Sequence, residues 1–499
     1  MMKTSFFKKL NFSKVEKAFL TCWILWLLFW LFQGPIHRHD FNTAQWTIHS
    51  WWFLQEPIPS CLPASRLSCW YYPTHPPLVH LFGVPGMLLF GWETWPSRLV
   101  QALIVLLGAL ELRSLATRIA NSTAGAMVLF ILLASPMMIL YGAIPNYEPT
   151  VVALLCVLMN RTSIYLQNPS IRSASIVIII AILGMLTDWS AYHPIGVAFL
   201  ISWYGYLRGT ESKWVQNLSQ HRWHLTGLFV AGIVIFLSHL SIIYYAYGSL
   251  EPLMMIAERR SVSFSFENTN LDFLSSLPKP LIILISLIGV IIIQFFTLLT
   301  VWIVILVARS DKSPASDTKI GLWIIIPLSA GIIHTLMFLQ GAFVHEYWVA
   351  PLLPALTLIA AVKASNWTPK QVKVSGFIGS LSLLLWAFVL LPLSSISHVE
   401  DSVDSVSGLT DVFGDESSLL VSSEIIYGRP EVVMTLHTGM LTPTHWSPES
   451  SEEWIWDGAI LCSDSPWIEK LTAPEIGYTI IEQRASPSCE EETLSVLKK

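Results

Sequence analysis

Charge is scarce in this chain. Asp, Glu, Lys and Arg together make up 13% of its 499 residues, about half the share carried by an average soluble protein. That shortage excludes a soluble globular protein of this length, and no nucleic-acid partner is expected. Cysteine is also sparse, with six in all, and no Cys/His cluster has the spacing of a zinc site. No small-residue cleavage site follows the first apolar run, so that run is expected to stay as a span and not to be removed as a signal peptide. No glycine-rich phosphate loop opens a helix in the C-terminal part.

Apolar runs of membrane-spanning length are abundant instead. Hydrophobic residues make up 53% of the chain, and runs of roughly 18 residues or more recur, each long enough for about 30 Å of hydrocarbon. Spans are expected at 16–33, 98–117, 123–142, 150–166, 173–187, 191–207, 224–247, 281–308, 320–340, 347–362 and 374–395. The piece 77–92 is different, being short and broken by Gly83, Pro85 and Gly86. If it does not cross, the basic connectors fall on one side. These are the N-terminal lysines, Arg113 and Arg118, Arg161 and Arg172, Arg208 with Lys213 and Arg222, Arg309 with Lys312 and Lys319, and Lys363 with Lys370 and Lys373. Positive charge is retained on the cytoplasmic side, so 77–92 is expected to be re-entrant or interfacial on the outer face, its broken backbone buried against protein. The N-terminus is then cytoplasmic.

The remaining connectors and the tail fall outside. Residues 396–499 hold 19 acids against five Lys/Arg, a net of −14, whereas residues 1–395 carry a net of +9. Short apolar pieces at 419–421, 459–461 and 478–481 read as strands, and segments near 429–437 and 465–472 as helices. An extracytoplasmic α/β domain of about 100 residues is expected at 396–499. Cys61 and Cys69 lie in the first loop, and Cys462 and Cys489 in the tail. Two disulfides or four free thiols both fit an external location.

The longest polar insertion of the first half runs from His37 to Pro77, just outside the first span. It opens His37-Arg38-His39-Asp40 and closes Tyr71-Tyr72-Pro73-Thr74-His75-Pro76-Pro77. Asp40 and, after the third span, Glu148 are carboxylates at the level of lipid headgroups. A carboxylate placed there can take the proton of an acceptor hydroxyl, a role worth about 10²–10⁴-fold in rate. Taken alone, each reads more readily as a solvated loop acid or a helix N-cap. Trp46, Trp51, Trp52 and Trp70 crowd the same loop; such rings stack on sugars, but they also form the interfacial belt of membrane proteins.

These residues carry a family resemblance. An Asp after the first span, His75-Pro76-Pro77-Leu78, Phe90-Gly91-Trp92-Glu93 and Arg98-Leu99 resemble the GT-C glycosyltransferases of the protein mannosyltransferase and aminoarabinose transferase type, glycosyltransferase family 39 and its relatives. Pro136 with Glu148 resembles that family's second acidic loop, His345-Glu346-Tyr347-Trp348 with Pro351 and Pro354 its late span, and Tyr427-Gly428-Arg429-Pro430 part of its external tail. The likeness runs over about residues 1–440. It implies an all-α polytopic membrane protein, with a transmembrane glycosyltransferase domain at 1–395 that contains an external catalytic loop at 34–97. By resemblance Asp40 is the catalytic base, and Glu148 supports it or places the acceptor. The family often carries a second acid directly after the loop Asp, where this chain has Phe41.

A lipid-phosphate leaving group needs cations, and Arg259 and Arg260 in the outer connector offer forks matched to phosphate oxygens. Pairing with anionic headgroups is the competing use. His75, His345, Glu346 and Tyr347 complete the expected donor site. His239 and His334, inside spans, are expected to bond neighbouring helices. The expected function is transfer of a sugar from a polyprenyl-phosphate donor to a protein, lipid or glycan acceptor at the outer face of the plasma membrane, with inversion and no obligatory metal, a divalent cation being left open. A transporter or flippase would need mid-membrane ionisable groups and an internal repeat; a non-catalytic scaffold would need a sealed Asp40.

Overall fold

The computed structural model describes residues 12–31, 75–90, 93–261, 278–297, 299–307 and 317–385. In the C-terminal part it describes 418–421, 440–443, 458–462, 479–485 and 493–498, with isolated positions at 43, 46, 47, 50, 53, 54 and 472. The chain divides into two compact units. One comprises Met1–Leu31, Pro73–Val79 and Leu99–Val389, and the other Phe32–Tyr72, His80–Arg98 and Leu390–Lys499.

The first unit is helical. Helices α1 (Lys14–Leu31), α3 (Trp95–Ile119), α4 (Ser122–Leu133), α5 (Pro136–Tyr141), α6 (Tyr147–Gln167), α7 (Ile171–Met185), α8 (Tyr192–Arg208), α9 (Lys213–Gln220) and α10 (Arg222–Tyr247) are followed by α11 (Glu251–Arg260), α12 (Lys279–Thr297), α13 (Leu299–Val307), α14 (Asp317–Met337), α15 (Leu339–Val344), α16 (Leu353–Lys363) and α17 (Pro369–Leu385). Every expected span meets a helix. The expected span 123–142 is two, because Ser135 accepts from the Met138 amide and Pro136 takes the first helical position, a pairing that starts a helix. Trp95–Ile119, Tyr147–Gln167, Arg222–Tyr245 and Tyr347–Asn366 are long and apolar enough to cross a membrane. Outward faces are apolar too: Ile24, Leu25 and Leu28 are about half exposed while Trp23, Trp26 and Trp30 on the same helix are buried. An exposed face of this kind has no place in water, and the chain is an integral membrane protein.

Two buried glutamates of this unit are paired with arginines. Ser13 and Glu16 form a reciprocal cap at the start of α1, with the Ser13 amide 2.7 Å from a Glu16 carboxylate oxygen. Arg113 Nε donates to the other Glu16 oxygen at 2.7 Å, and both side chains are buried. Glu111 accepts from Asn160 Nδ2 and Arg161 Nη2, joining α3 to α6. These two helices approach closely where a side-chain carbon on Gly108 would lie 2.6 Å from Ala153 Cα, the small-residue contact typical of membrane helices.

The second unit contains α2 (Val84–Phe90), preceded by a 3-10 turn at Pro77–Leu81 that reaches into it. Seven residues of helix rise only about 10 Å, too short to cross. Ser50 Oγ bonds the carbonyls of Trp46 and His80, and Gly86 lies so close to Pro96 that any side chain would collide with it. The glycines of the broken segment are thus explained by close approach. The unit also holds a five-stranded sheet in the order β2-β1-β3-β5-β4, with β1 (Ser418–Val421), β2 (Met440–Pro443), β3 (Gly458–Cys462), β4 (Thr479–Ala485) and β5 (Thr493–Lys498). β1 runs parallel to β2 and β3, whereas β5 is antiparallel to β3 and β4. The helices expected near 429–437 and 465–472 lie outside the described residues, apart from Thr472, as do Cys61, Cys69 and Cys489.

The Arg113–Glu16 pair makes a stability prediction. Arg113→Met leaves a buried carboxylate without its cation, and such losses cost roughly 3–5 kcal/mol. The variant should melt earlier in detergent, and Glu16→Gln added to it should recover part of the loss. An unchanged melting temperature for Arg113→Met would show that the pair is not structural.

Candidate functional site

The candidate site lies within the first unit, at the ends of its helices that the charge pattern assigns to the outer face. Asn146 caps α6 by accepting from the Tyr147 amide at 3.0 Å, so Glu148 falls in the first helical turn. Thr150 Oγ1 lies 2.6 Å from the Asn146 carbonyl and 2.7 Å from Gln101 Oε1 of α3, which fixes this turn against its neighbour. Glu148 is therefore not a solvated loop acid: it is 3% exposed.

The connector from α7 to α8 supplies the second buried acid. Asp188 caps a 3-10 turn at Trp189–Ala191, its Oδ2 accepting from the Ser190 amide at 3.2 Å and from the Ser190 hydroxyl. Its Oδ1 faces His75 Nδ1 at 2.8 Å. The His75 ring also stacks on Tyr147, with centroids 4.0 Å apart and planes 18° apart. The Leu78 amide donates to the Leu186 carbonyl at 3.0 Å, tying the His-Pro-Pro segment to the end of α7. Burial alone would push the Asp188 carboxyl up. The hydrogen bond and charge of His75, with His334 and Ser190, outweigh burial and hold it below the ordinary carboxylate range.

These groups surround a cavity of about 350 Å³. His75, Glu148 and Asp188 line one part. Trp189, Tyr192 and His193 come from the start of α8 and the turn before it, Phe236 from α10, Arg260 from α11, His334 and Met337 from α14, and Trp348 from the turn at Glu346–Leu352. Arg260 lies 5.9 Å from the Trp348 ring and 3.5 Å from Gln340 Oε1. Four buried polar atoms on this lining have no hydrogen-bond partner among the described residues: Glu148 Oε2, the Tyr192 hydroxyl, His193 Nδ1 and His334 Nδ1. Buried polar atoms are nearly always satisfied. Four such atoms around one cavity, with a cation and indole rings, make a place for a polar ligand that supplies the missing bonds. Among the described residues no three His, Cys, Asp or Glu side chains are arranged to hold a metal ion.

The residues expected from the sequence fare unequally. His75, Glu148 and Arg260 meet at the cavity. Arg259 lies on α11 and Glu346 in the Glu346–Leu352 turn, but their side chains are outside the described residues, as is Asp40 altogether. His345 stacks on Tyr347 at 5.3 Å, and Tyr347 packs on Tyr141; neither lines the cavity, which Trp348 reaches instead. Asp188, Tyr192 and His193 were not expected as site residues. Their signal was an Asp-Trp pair followed closely by Tyr-His at the boundary of two apolar runs, which reads as a plain connector until the partner 113 positions away is known. His334 was expected to bond a neighbouring helix, yet it faces the cavity.

Comparison with known proteins follows the same ground. Residues 74–242 match the family described as dolichyl-phosphate-mannose-protein mannosyltransferase, a stretch that contains His75, Glu148, Asp188, Tyr192 and His193. No curated protein sequence matches the chain. Crystal structures of ArnT from Cupriavidus metallidurans, one bound to undecaprenyl phosphate and one in the apo state, each align with a TM-score of 0.63 and 14% identity, covering 97% of both chains. The archaeal oligosaccharyltransferase AglB from Archaeoglobus fulgidus aligns at 0.40 and 10% identity, over 88% of this chain and 65% of that one. In sequence over residues 74–242, and in fold over nearly its whole length, the chain resembles GT-C glycosyltransferases of the protein mannosyltransferase type.

Proposed function

We propose that this chain is a membrane glycosyltransferase that moves a sugar from a polyprenyl-phosphate donor to an acceptor hydroxyl on the extracytoplasmic face. The observation that carries the reading is the cavity in which Glu148, the His75–Asp188 pair and Arg260 converge among unsatisfied polar atoms. The undecaprenyl phosphate of the ArnT structure supports a lipid-phosphate donor.

The reaction is a single displacement. Asp40 takes the acceptor proton as the acceptor oxygen bonds the anomeric carbon on the face opposite the phosphate. The carbon–oxygen bond to phosphate breaks, its electron pair leaves on the phosphate, and the sugar is inverted. Arg260, with Arg259 and His75, stabilises the charge that builds on the departing phosphate; groups aimed at developing charge in a water-poor site contribute strongly. Glu148 accepts from a sugar or acceptor hydroxyl, and the indoles of Trp189 and Trp348 offer faces for the sugar ring. Glu346 and His345 with Tyr347 support the same outer mouth. The membrane domain spans residues 1–395, with the catalytic loop at 34–97. Residues 396–499 form an external α/β domain, a side consistent with the basic connectors lying on the opposite face.

Two measurements test this. In vesicles supplied with polyprenyl-phosphate sugars, Asp40→Asn should lower turnover by about 10²–10⁴-fold, and Arg260→Ala by at least about tenfold. Glu148→Gln should impair turnover while leaving expression intact. Full activity in Asp40→Asn would remove that residue from the mechanism. Turnover should also persist after exhaustive chelation with EDTA. Loss on chelation and recovery with a divalent cation would show that the reaction is metal-dependent.

A further inference from the structure

Resting on that reading of the donor site, we propose that Asp188 is the positioning residue for His75: it fixes the ring and holds a proton on Nδ1, so that His75 meets the donor phosphate through Nε2–H as the cationic partner of a buried carboxylate. The geometry leaves Asp188 little else to do. Its Oδ2 is taken by the amide and hydroxyl of Ser190, and its Oδ1 points at His75 Nδ1, 2.8 Å away. Tyr147 supports the ring face, and the Leu78–Leu186 backbone bond sets the height of the segment. An imidazole that gives Nδ1–H to a carboxylate can give a second N–H to phosphate only when both nitrogens carry protons. The Asp188 charge compensates that state inside an apolar body, where an unpaired cation would be costly.

Other titratable groups face the pair. Glu148 comes from α6, Tyr192 and His193 from α8, Arg260 from α11 and His334 from α14, while His239 of α10 packs on Trp189 at 5.2 Å. Burial and the neighbouring Asp188 raise the Glu148 carboxyl well above the ordinary range, toward its neutral form, and Arg260 opposes a proton on His75. Among the described residues Asp188 is the group in direct hydrogen-bond contact with the ring, and its removal should change the pH response.

The test is binding of a polyprenyl methyl phosphate diester, whose single negative charge does not titrate in this range, to the full chain in nanodiscs, from about pH 5.5 to 8.5, where histidine changes charge. Wild-type affinity should weaken toward the alkaline end. Asp188→Asn should bind about tenfold more weakly there and near wild type at the acidic end, the effect of one lost neighbouring charge. His75→Lys should bind without pH dependence in this range, and Asp188→Asn should cost nothing further on that background. An equal loss at every pH, or a loss that persists in the His75→Lys background, would make Asp188 merely structural and overturn the inference alone. A wild type with no affinity at any pH would overturn the donor reading itself. Should Asp188→Asn fail to fold, as judged by its melting temperature, pH dependence surviving in His75→Lys would overturn the inference.

Discussion

A carboxylate buried in an apolar helical body must be given donors or be lost, and the structure around the cavity follows from how this is done for Asp188. Its partners come from two directions. Ser190 is local, supplied by the turn that Asp188 itself caps. His75 is distant, brought 113 residues back along the chain by the Leu78–Leu186 tie and the Tyr147 ring. One hydrogen-bonded contact therefore links the close of the first long loop, the start of α6 and the junction of α7 with α8. The same junction presents Trp189, Tyr192 and His193 to the cavity. Removing one partner of such a pair costs far more than the pair contributes in net stability, and so its members are bound to one another.

Much of this was legible in the sequence, and the part that was not has a physical reason. Hydropathy located every long helix, because in hydrocarbon a backbone must satisfy itself over a whole span. The break at Gly83, Pro85 and Gly86 set 77–92 apart from the spans, and Gly83 and Gly86 prove to sit where Ser50 and Pro96 press in. Glu148, His75 and Arg260, expected by type and position, line one cavity. Asp188 was missed because a carboxylate beside Trp in a short connector is indistinguishable from a solvated one until its partner is in view. Tyr347 and His345, expected at the donor site, stack on each other, and Trp348 rather than either of them reaches the cavity, because successive side chains of a 3-10 turn fan by about 120°. Strand β5 was not expected because Thr493–Lys498 lacks the clean alternation of a half-buried strand. Strand β2 ends in Pro443, as suits the edge position it takes in the sheet.

Among the described residues, three buried glutamates of the helical unit differ in how their oxygens are used. Glu16 meets Arg113 and the start of its own helix, and Glu111 meets Arg161 and Asn160. Both lie toward the face that the basic connectors assign to the cytoplasm. Their oxygens are used, and each joins two helices. Glu148 begins the same helix α6 that carries Asn160 and Arg161 near its other end, about 20 Å away by helical rise. One of its oxygens has no partner among the described residues, although the side chain is as buried as the others. A membrane helix with a satisfied polar cluster at one end and an unsatisfied acid at the other is asymmetric in a useful way. The first end fixes its register against α3, through Glu111 and the close contact at Gly108. The second end then holds Glu148 in place without consuming its hydrogen-bonding capacity.

That asymmetry bears on why the cavity can discriminate among ligands. A lipid chain needs only apolar walls, which the helices offer on many outward faces. A phosphorylated sugar needs donors and acceptors that are already oriented and dry, since water would otherwise satisfy them and weaken each contact. Here Arg260 is held near Trp348 and Gln340, Tyr192 and Trp189 pack together, and His193 packs on His334 at 5.5 Å. A ligand with a polar headgroup offers bonds to these atoms and an apolar one offers none, so the lining is suited to a polar group at this point in an otherwise apolar protein.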